Sequence, residues 1–302
     1  MQYVSDGGLE TDLIYHHGVD LPHFAAYVLL RDAHGRDLLR PYYEGYARVA
    51  ERHGVGLQLE TPTWRASSDW GDLLGDDASA LAAANADAVA LLREIGEQWS
   101  DRVPAVRVVG QIGPRGDGYR LGARVDPDEA AEYHRPQVAA LARAGADHVE
   151  VLTLTDVGEA VGVVRAARDV GMPVWVGWTV EVDGRLPGGT SLQEAVESTD
   201  TLAAPDAYMV NCAHPRHVAA GLSGPWDRVR GLKVNASERS HEELDAMTSL
   251  DPGDPAELAA AHVKLERSLP ALEVVGGCCG TDATHVGAIW AARTGGSPPL
   301  RR

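Results

Sequence analysis

No stretch of the 302 residues approaches the roughly 18 consecutive apolar positions of a membrane-spanning helix. The opening residues Met1-Gln2-Tyr3-Val4-Ser5-Asp6 have neither the basic start nor the apolar core of a secretory signal. Basic residues are scarce as well: 27 Lys and Arg stand against 44 Asp and Glu, a formal net charge of -17. A nucleic-acid partner needs clustered cations to neutralise phosphates, so that class is excluded, and no membrane partner is expected. No Ser/Gly linker or low-complexity tract divides the chain, which reads as one domain over 1–302. The dinucleotide fingerprint G-x-G-x-x-G is missing after the first strand candidate, where the sequence runs Asp6-Gly7-Gly8-Leu9-Glu10, and a dehydrogenase is therefore disfavoured. Cysteine is limited to three residues, with no Cys-x-x-Cys pair, so neither a disulfide framework nor a redox motif is indicated. Unpaired thiols suit a reducing compartment, and a cytoplasmic location is expected.

What is present is an alternation. Short β-branched runs bounded by Gly, Pro or Asp fall at 3–6, 55–60, 107–112, 148–153, 174–180, 207–212, 232–236 and 273–278. Between them lie stretches of helical period, among them 37–53, 78–99, 127–144, 157–170, 191–202, 214–221 and 256–269. About eight βα units close most economically into an α/β fold, a (β/α)8 TIM barrel. An open doubly wound sheet is the alternative. Catalytic groups of such barrels come from the C-terminal ends of several strands.

The three cysteines fall at two such ends: Cys212 closes the sixth run, and Cys278 and Cys279 close the eighth in Gly276-Gly277-Cys278-Cys279-Gly280-Thr281. Neighbouring cysteines bond each other only with strain in the intervening backbone. Buried cysteine also serves as a small hydrophobe, and each of these taken singly could be that. Three together, two framed by glycines, point to zinc (Zn2+) held about 2.3 Å from each sulfur with its fourth position open. Three thiolates make a poor water activator, which argues against hydrolysis. They suit capture of a further, exogenous sulfur whose pKa the metal depresses, and so imply alkylation of a small thiol.

These residues resemble the zinc-dependent homocysteine S-methyltransferases, which are (β/α)8 barrels. The glycine-flanked cysteine pair with Asn211-Cys212 is similar to that family's two zinc-ligand motifs. Further similarities follow in order: Asp6-Gly7-Gly8 with Glu10-Thr11, the segment from Thr61 to Ser67, Gly110-Gln111-Ile112-Gly113-Pro114, and a degraded Asn235-Ala236-Ser237-Glu238. The resemblance implies a methyltransferase of methionine biosynthesis with Cys212, Cys278 and Cys279 as metal ligands. Its partners would be a small-molecule thiol acceptor, homocysteine, and a sulfonium methyl donor, S-methylmethionine or S-adenosylmethionine. No catalytic residue beyond the zinc ligands is required. A homo-oligomer stays open. Two other readings stay open: a family member diverged to another thiol or selenol, and a non-catalytic barrel that binds zinc or an amino acid.

The substrate-binding candidates are Asp6, Gly7, Gly8, Glu10, Thr61, Glu150, Thr153 and Asn211. Gly7 and Gly8, lacking Cβ, allow close approach of an amino acid. Asp6 either grips substrate or caps a turn. Glu10 and Glu60 either meet an ammonium group or pair with a neighbouring cation. Asn211 is expected to brace its loop by hydrogen bonding more than to touch substrate. Where the family carries a Glu-Thr pair after strand four, this chain has Leu152-Thr153. Glu150, on the same strand face by the period-two rule, either replaces that carboxylate from deeper in the barrel or pairs with Arg107. His16 and His17 lack the i, i+4 spacing of a helical metal site. Trp175 and Trp178 must face opposite sides of their strand, so at most one faces the barrel axis. The stretch 245–257, acidic and rich in Pro and Gly, reads as a solvated loop.

Overall fold

The computed structural model of the chain describes residues 1–119, 122, 124–223 and 226–295. Eight runs pair in parallel and in chain order: β1 (Tyr3–Val4), β2 (Gly56–Glu60), β3 (Val106–Ile112), β4 (His148–Leu154), β5 (Val174–Trp178), β6 (Ala207–Ala213), β7 (Val229–Val234) and β8 (Val274–Gly277). The last pairs with the first, Tyr3 opposite Val274, and the barrel is closed. The helices are α1 (Leu9–His17), α2 (Ala33–His53), α3 (Ser68–Leu74), α4 (Ala78–Trp99), α5 (Pro127–Ala144), α6 (Val157–Asp169), α7 (Leu192–Ala203), α8 (Pro215–Gly221), α9 (His241–Asp245), α10 (Pro255–Glu266) and α11 (Ala283–Arg293). Many begin on an Asp or Ser whose side chain accepts a first-turn N–H, as Asp77, Asp126, Ser191 and Asp254 do. None of the described helices is long and apolar enough to cross a membrane.

The strands bury both faces, as a parallel barrel requires. Outward side chains such as Val108, Val151, Val176, Trp178 and Leu232 pack against the helices. Trp175 points the other way, into the barrel, with Leu152, Met209 and Val274. The bottom of the interior is polar: Arg107 donates to Glu273 and to Gln58 Oε1 at 2.8 and 2.7 Å and stacks on the Tyr3 ring.

Several element ends differ from the sequence-based expectation, each for a local reason. β1 has only two residues because the chain leaves the barrel early for the Asp6-Gly7-Gly8 turn. α2 starts at Ala33, not 37, because the Asp32 side chain accepts from Gly35 N and caps it. β7 starts at Val229, its polar Arg230 and Gly231 having masked the strand pattern. The stretch 245–257 is not simply a solvated loop: Asp251 Oδ2 accepts from Ser237 Oγ at 2.8 Å, and α10 already begins at Pro255. His16 and His17 close α1 on the surface, both beside Asp12.

Candidate metal centre and its cavities

β6 and β8 flank β7, so their C-terminal ends deliver Cys212 and the Cys278-Cys279 turn to one place at the barrel mouth. Cys278 Sγ lies 2.9 Å and Cys279 Sγ 3.4 Å from Cys212 Sγ. Among the described residues, no other group of three His, Cys, Asp or Glu side chains converges closely enough to share an ion. Tetrahedral coordination at about 2.3 Å would set the sulfurs about 3.8 Å apart, so they need spread by less than about 1 Å. Burial pushes the Cys212 thiol well above its ordinary value, while hydrogen bonds from Cys212 and Cys278 hold Cys279 well below. Three sulfurs this close cannot all ionise without a cation among them, and the donor set therefore fits zinc.

The backbone around the sulfurs is held in detail. Cys212 adopts the left-handed region, φ 56°, at a bulge of β6. Its carbonyl accepts from Asn235 Nδ2 at 3.0 Å, His241 Nε2 at 2.7 Å and Thr179 Oγ1 at 3.3 Å. His241 Nδ1 bonds Glu181 at 2.9 Å. In the turn, Cys278 N donates to Val234 O and the Cys279 carbonyl accepts from Ala236 N, while Cys278 O accepts from the Thr281 hydroxyl. Gly8 packs against that turn so closely that a Cβ there would lie 2.6 Å from Cys278 O.

Directly below lies a buried charge cluster. Lys233 Nζ donates to Asp6 Oδ1 at 2.6 Å and to Glu60 Oε2 at 2.5 Å, and Glu60 also accepts from Ser5 Oγ. Burial, only partly offset by Lys233, raises Asp6 to about 7. Glu60 feels the same burial, yet Lys233 and its hydrogen bonds hold it below the usual carboxylate range.

Two cavities meet at the sulfurs. The inner one, about 40 Å3, includes Gly7, Gly8, Glu10, Leu152, Thr153 and Cys278 in its lining. The outer one, about 340 Å3, is walled in part by Arg65, Asn235, His241 and Leu250. Thr11, Phe24, Trp64, Tyr119 and Cys279 line both. The Tyr119 hydroxyl sits 3.0 Å from Cys212 Sγ and 3.7 Å from Cys279 Sγ.

Of the residues singled out from sequence, Asp6, Gly7, Gly8, Glu10, Thr153 and Asn211 are gathered around the inner cavity with Cys278 and Cys279. Asp6 and Glu60 share Lys233, so their charges are already paired. Glu10 has no ion pair among the described residues, and burial raises its carboxyl to about 7. Asn211 bonds Thr153 with both polar atoms. Two candidates are displaced from the cavity. Thr61 is fully buried, and its hydroxyl accepts from Gln111 N at 2.8 Å, bracing β3. Glu150 lies a layer deeper, accepting on Oε1 from Gln58 at 2.9 Å and His148 at 3.0 Å. Arg107 does not pair with it; Glu273 takes that cation. Leu152 itself faces the cavity where a carboxylate was expected.

Sequence inspection overlooked Lys233, Tyr119, His241 and Arg65. A lysine inside the apolar run Leu232-Lys233-Val234 was a usable signal, because buried lysine is rare without partners. Tyr119 gave none, standing in a loop between β3 and α5.

The sequence model of the family described as homocysteine S-methyltransferase matches residues 3–293. Homocysteine S-methyltransferase YbgG of Bacillus subtilis is 27% identical over 204 residues, 62% of each chain. Homocysteine S-methyltransferase 3 of Arabidopsis thaliana is 26% identical over 173 residues, 56% of this chain and 49% of the relative. The chain thus matches less than two thirds of either relative's length. Crystal structures of the homocysteine methyltransferase MmuM from Escherichia coli share the fold. The oxidized form superposes with a TM-score of 0.75 at 22% identity over 96% of this chain and 95% of that one. The metallated form gives 0.74 at 21% identity, over 96% of both.

Proposed function

The chain belongs to the homocysteine S-methyltransferase family, and on that premise we propose that it moves a methyl group from a sulfonium donor, S-methylmethionine or S-adenosylmethionine, to the sulfur of homocysteine. The observation that carries this reading is the convergence of Cys212, Cys278 and Cys279 beside two adjoining cavities. Those three side chains would hold zinc, which when bound lowers the pKa of an added thiol so that its sulfur is nucleophilic near neutral pH.

The rest falls to the protein's own groups. Glu10, the inner-cavity carboxylate without an ion pair, receives the acceptor's ammonium group in place of the carboxylate absent at Leu152. The Gly7-Gly8 turn admits the amino-acid backbone. Phe24, Trp64 and Tyr119, common to both cavities, exclude water and offer ring faces to the cationic donor. The acceptor sulfur attacks the donor methyl carbon. The new S–C bond forms as the donor's C–S bond breaks, that electron pair stays on the donor sulfur, and the acceptor's thiol proton leaves to solvent. The products are methionine and a neutral thioether. Holding sulfur and methyl at near-attack distance provides most of the remaining acceleration.

The test is the zinc-loaded protein with S-methylmethionine and homocysteine deuterated on its carbon chain, read by mass spectrometry. Deuterated methionine from wild type and none from Cys279→Ala supports the reading; none from either overturns it. Leu152 favours a second reading, in which another small thiol or selenol is the acceptor. Competition between such thiols and homocysteine decides between them.

A further inference from the structure

Arg65 is a buried cation without an ion-pair partner among the described residues, in a chain where acidic residues outnumber basic ones by 44 to 27. Its guanidinium is sandwiched between two indoles, with Cζ 4.1 Å from the Trp64 ring centre and 3.5 Å from that of Trp70. Its one hydrogen bond among the described residues runs from Nη1 to Gly116 O at 3.1 Å, and no described carboxylate lies within ion-pair distance. Nε is buried and donates to nothing among the described residues. Leaving a desolvated charge and a buried N–H unanswered is costly, and protein interiors pair such groups. Two stacked rings and one carbonyl fix the plane of the fork but do not neutralise it. Burial outweighs the more distant charges of Asp117 and Glu10 and lowers Arg65 to about 10.

The position of this cation is specific. Arg65 lines the outer cavity and not the inner one, whereas Glu10, Gly7 and Gly8 line the inner and not the outer. Trp64 and Tyr119 lie at the boundary beside Cys279. The acceptor, whose sulfur must reach the cysteines, belongs to the inner cavity. A donor in the outer cavity would set its sulfonium against the boundary rings and carry its remaining groups toward Arg65.

We infer that Arg65 is the receptor for the α-carboxylate of the methyl donor, and that the outer cavity therefore takes an α-amino-acid sulfonium and discriminates against sulfonium or ammonium donors lacking a carboxylate there. The inference rests on the methyl-transfer reading for the word donor, but the binding it describes does not require turnover. The planar fork, pre-set by the two tryptophans, matches a carboxylate with two parallel N–H donors.

Calorimetric titration of the protein with S-methylmethionine and with its α-carboxamide tests this directly. Wild type is expected to bind the carboxylate about thirtyfold more tightly than the carboxamide, the range of a hydrogen bond to a charged group. Arg65→Met removes that preference while leaving the carboxamide's affinity in place, and Arg65→Lys keeps part of it. Equal binding of the two ligands by wild type overturns the assignment without any variant. So does an Arg65→Met protein that weakens both ligands alike. If Arg65→Met instead spares S-methylmethionine and weakens homocysteine relative to 3-aminopropanethiol, the carboxylate held is the acceptor's and the donor assignment is wrong. Carboxylate-dependent binding without methyl transfer would sink the proposed activity and leave this site standing. Methyl transfer with no carboxylate preference would do the reverse.

Discussion

Asn211 and Thr153 hold each other across an intervening strand. Thr153 N donates to Asn211 Oδ1 at 2.9 Å, and Asn211 Nδ2 donates back to Thr153 Oγ1 at 2.8 Å. Between them lies Gly177 of β5, where a Cβ would stand 2.8 Å from Asn211 Oδ1. The clamp joins two bulges, because β4 is irregular near Thr153 and β6 near Cys212, and both residues have positive φ, 65° and 56°. A β-branched residue in that region is strained, and the reciprocal bonds keep it there.

Asn211→Ala should remove both bonds and leave Thr153 N buried without an acceptor. The expected loss is about 1–3 kcal/mol of stability in urea titration. Cys212, the next residue, should lose its fixed backbone, so zinc affinity measured by chelator competition should fall as well. Unchanged stability and affinity would show the clamp to be idle. Gly177→Ala should produce the same pair of effects without touching Asn211 itself.

Cys212→Ala and Cys278→Ala should each lose stoichiometric zinc, measured by mass spectrometry of the metal, and lose methyl transfer with it. The far-ultraviolet dichroism should stay that of wild type, because the barrel closes through β8 and β1 independently of the sulfurs. Full zinc content in either variant contradicts the ligand assignment.

Lys233→Met should destabilise the fold by about 3–5 kcal/mol at pH 8, since it leaves Asp6 and Glu60 buried together without their cation. The deficit should shrink on acidification. Asp6 already has a folded value of about 7 against an ordinary 3.8, so its carboxyl takes up a proton on folding and opposes the fold increasingly as pH rises through that window. Without Lys233, Glu60 also rises and joins it. A deficit independent of pH between 5 and 8 would refute this account.

Glu10 should govern the pH dependence of acceptor binding. Its carboxyl, raised to about 7 by burial, is protonated below that value and then cannot pair with ammonium. Homocysteine KM is expected to climb as pH falls from 8 to 6. Glu10→Gln should raise KM about tenfold at pH 8 and flatten the profile. A profile of wild-type shape in the variant would assign the ionisation elsewhere.

The barrel and the sulfur cluster were legible because both depend on strong, local signals. Alternating apolar runs mark strands and helices, and a Gly-flanked Cys278-Cys279 pair has few structural uses. The acid network was not legible: Asp6, Glu60 and Lys233 are far apart in sequence, and only barrel closure places one ammonium between two carboxylates. Glu150 shows the limit of face arguments. Period-two alternation placed it correctly on the inner face but could not say that Leu152 would stand above it at the cavity. Arg65 went unnoticed because an arginine after a strand is ordinary until its lack of a carboxylate partner is seen in space.

The two-residue β1 has a bearing on assembly. Strand β8 makes its seam with β1 through Tyr3 opposite Val274 and Val4 opposite Val275, and three residues beyond that short seam come Cys278 and Cys279. β8, the last of the barrel's strands in chain order, therefore brings both the closing seam and two of the three sulfurs. A nascent chain in which β8 has not yet docked on β7 has Cys212 alone at the mouth and no chelate. Capture of a metal ion would thus pin β8 to β6 across β7 and report, through occupancy, that this strand had docked.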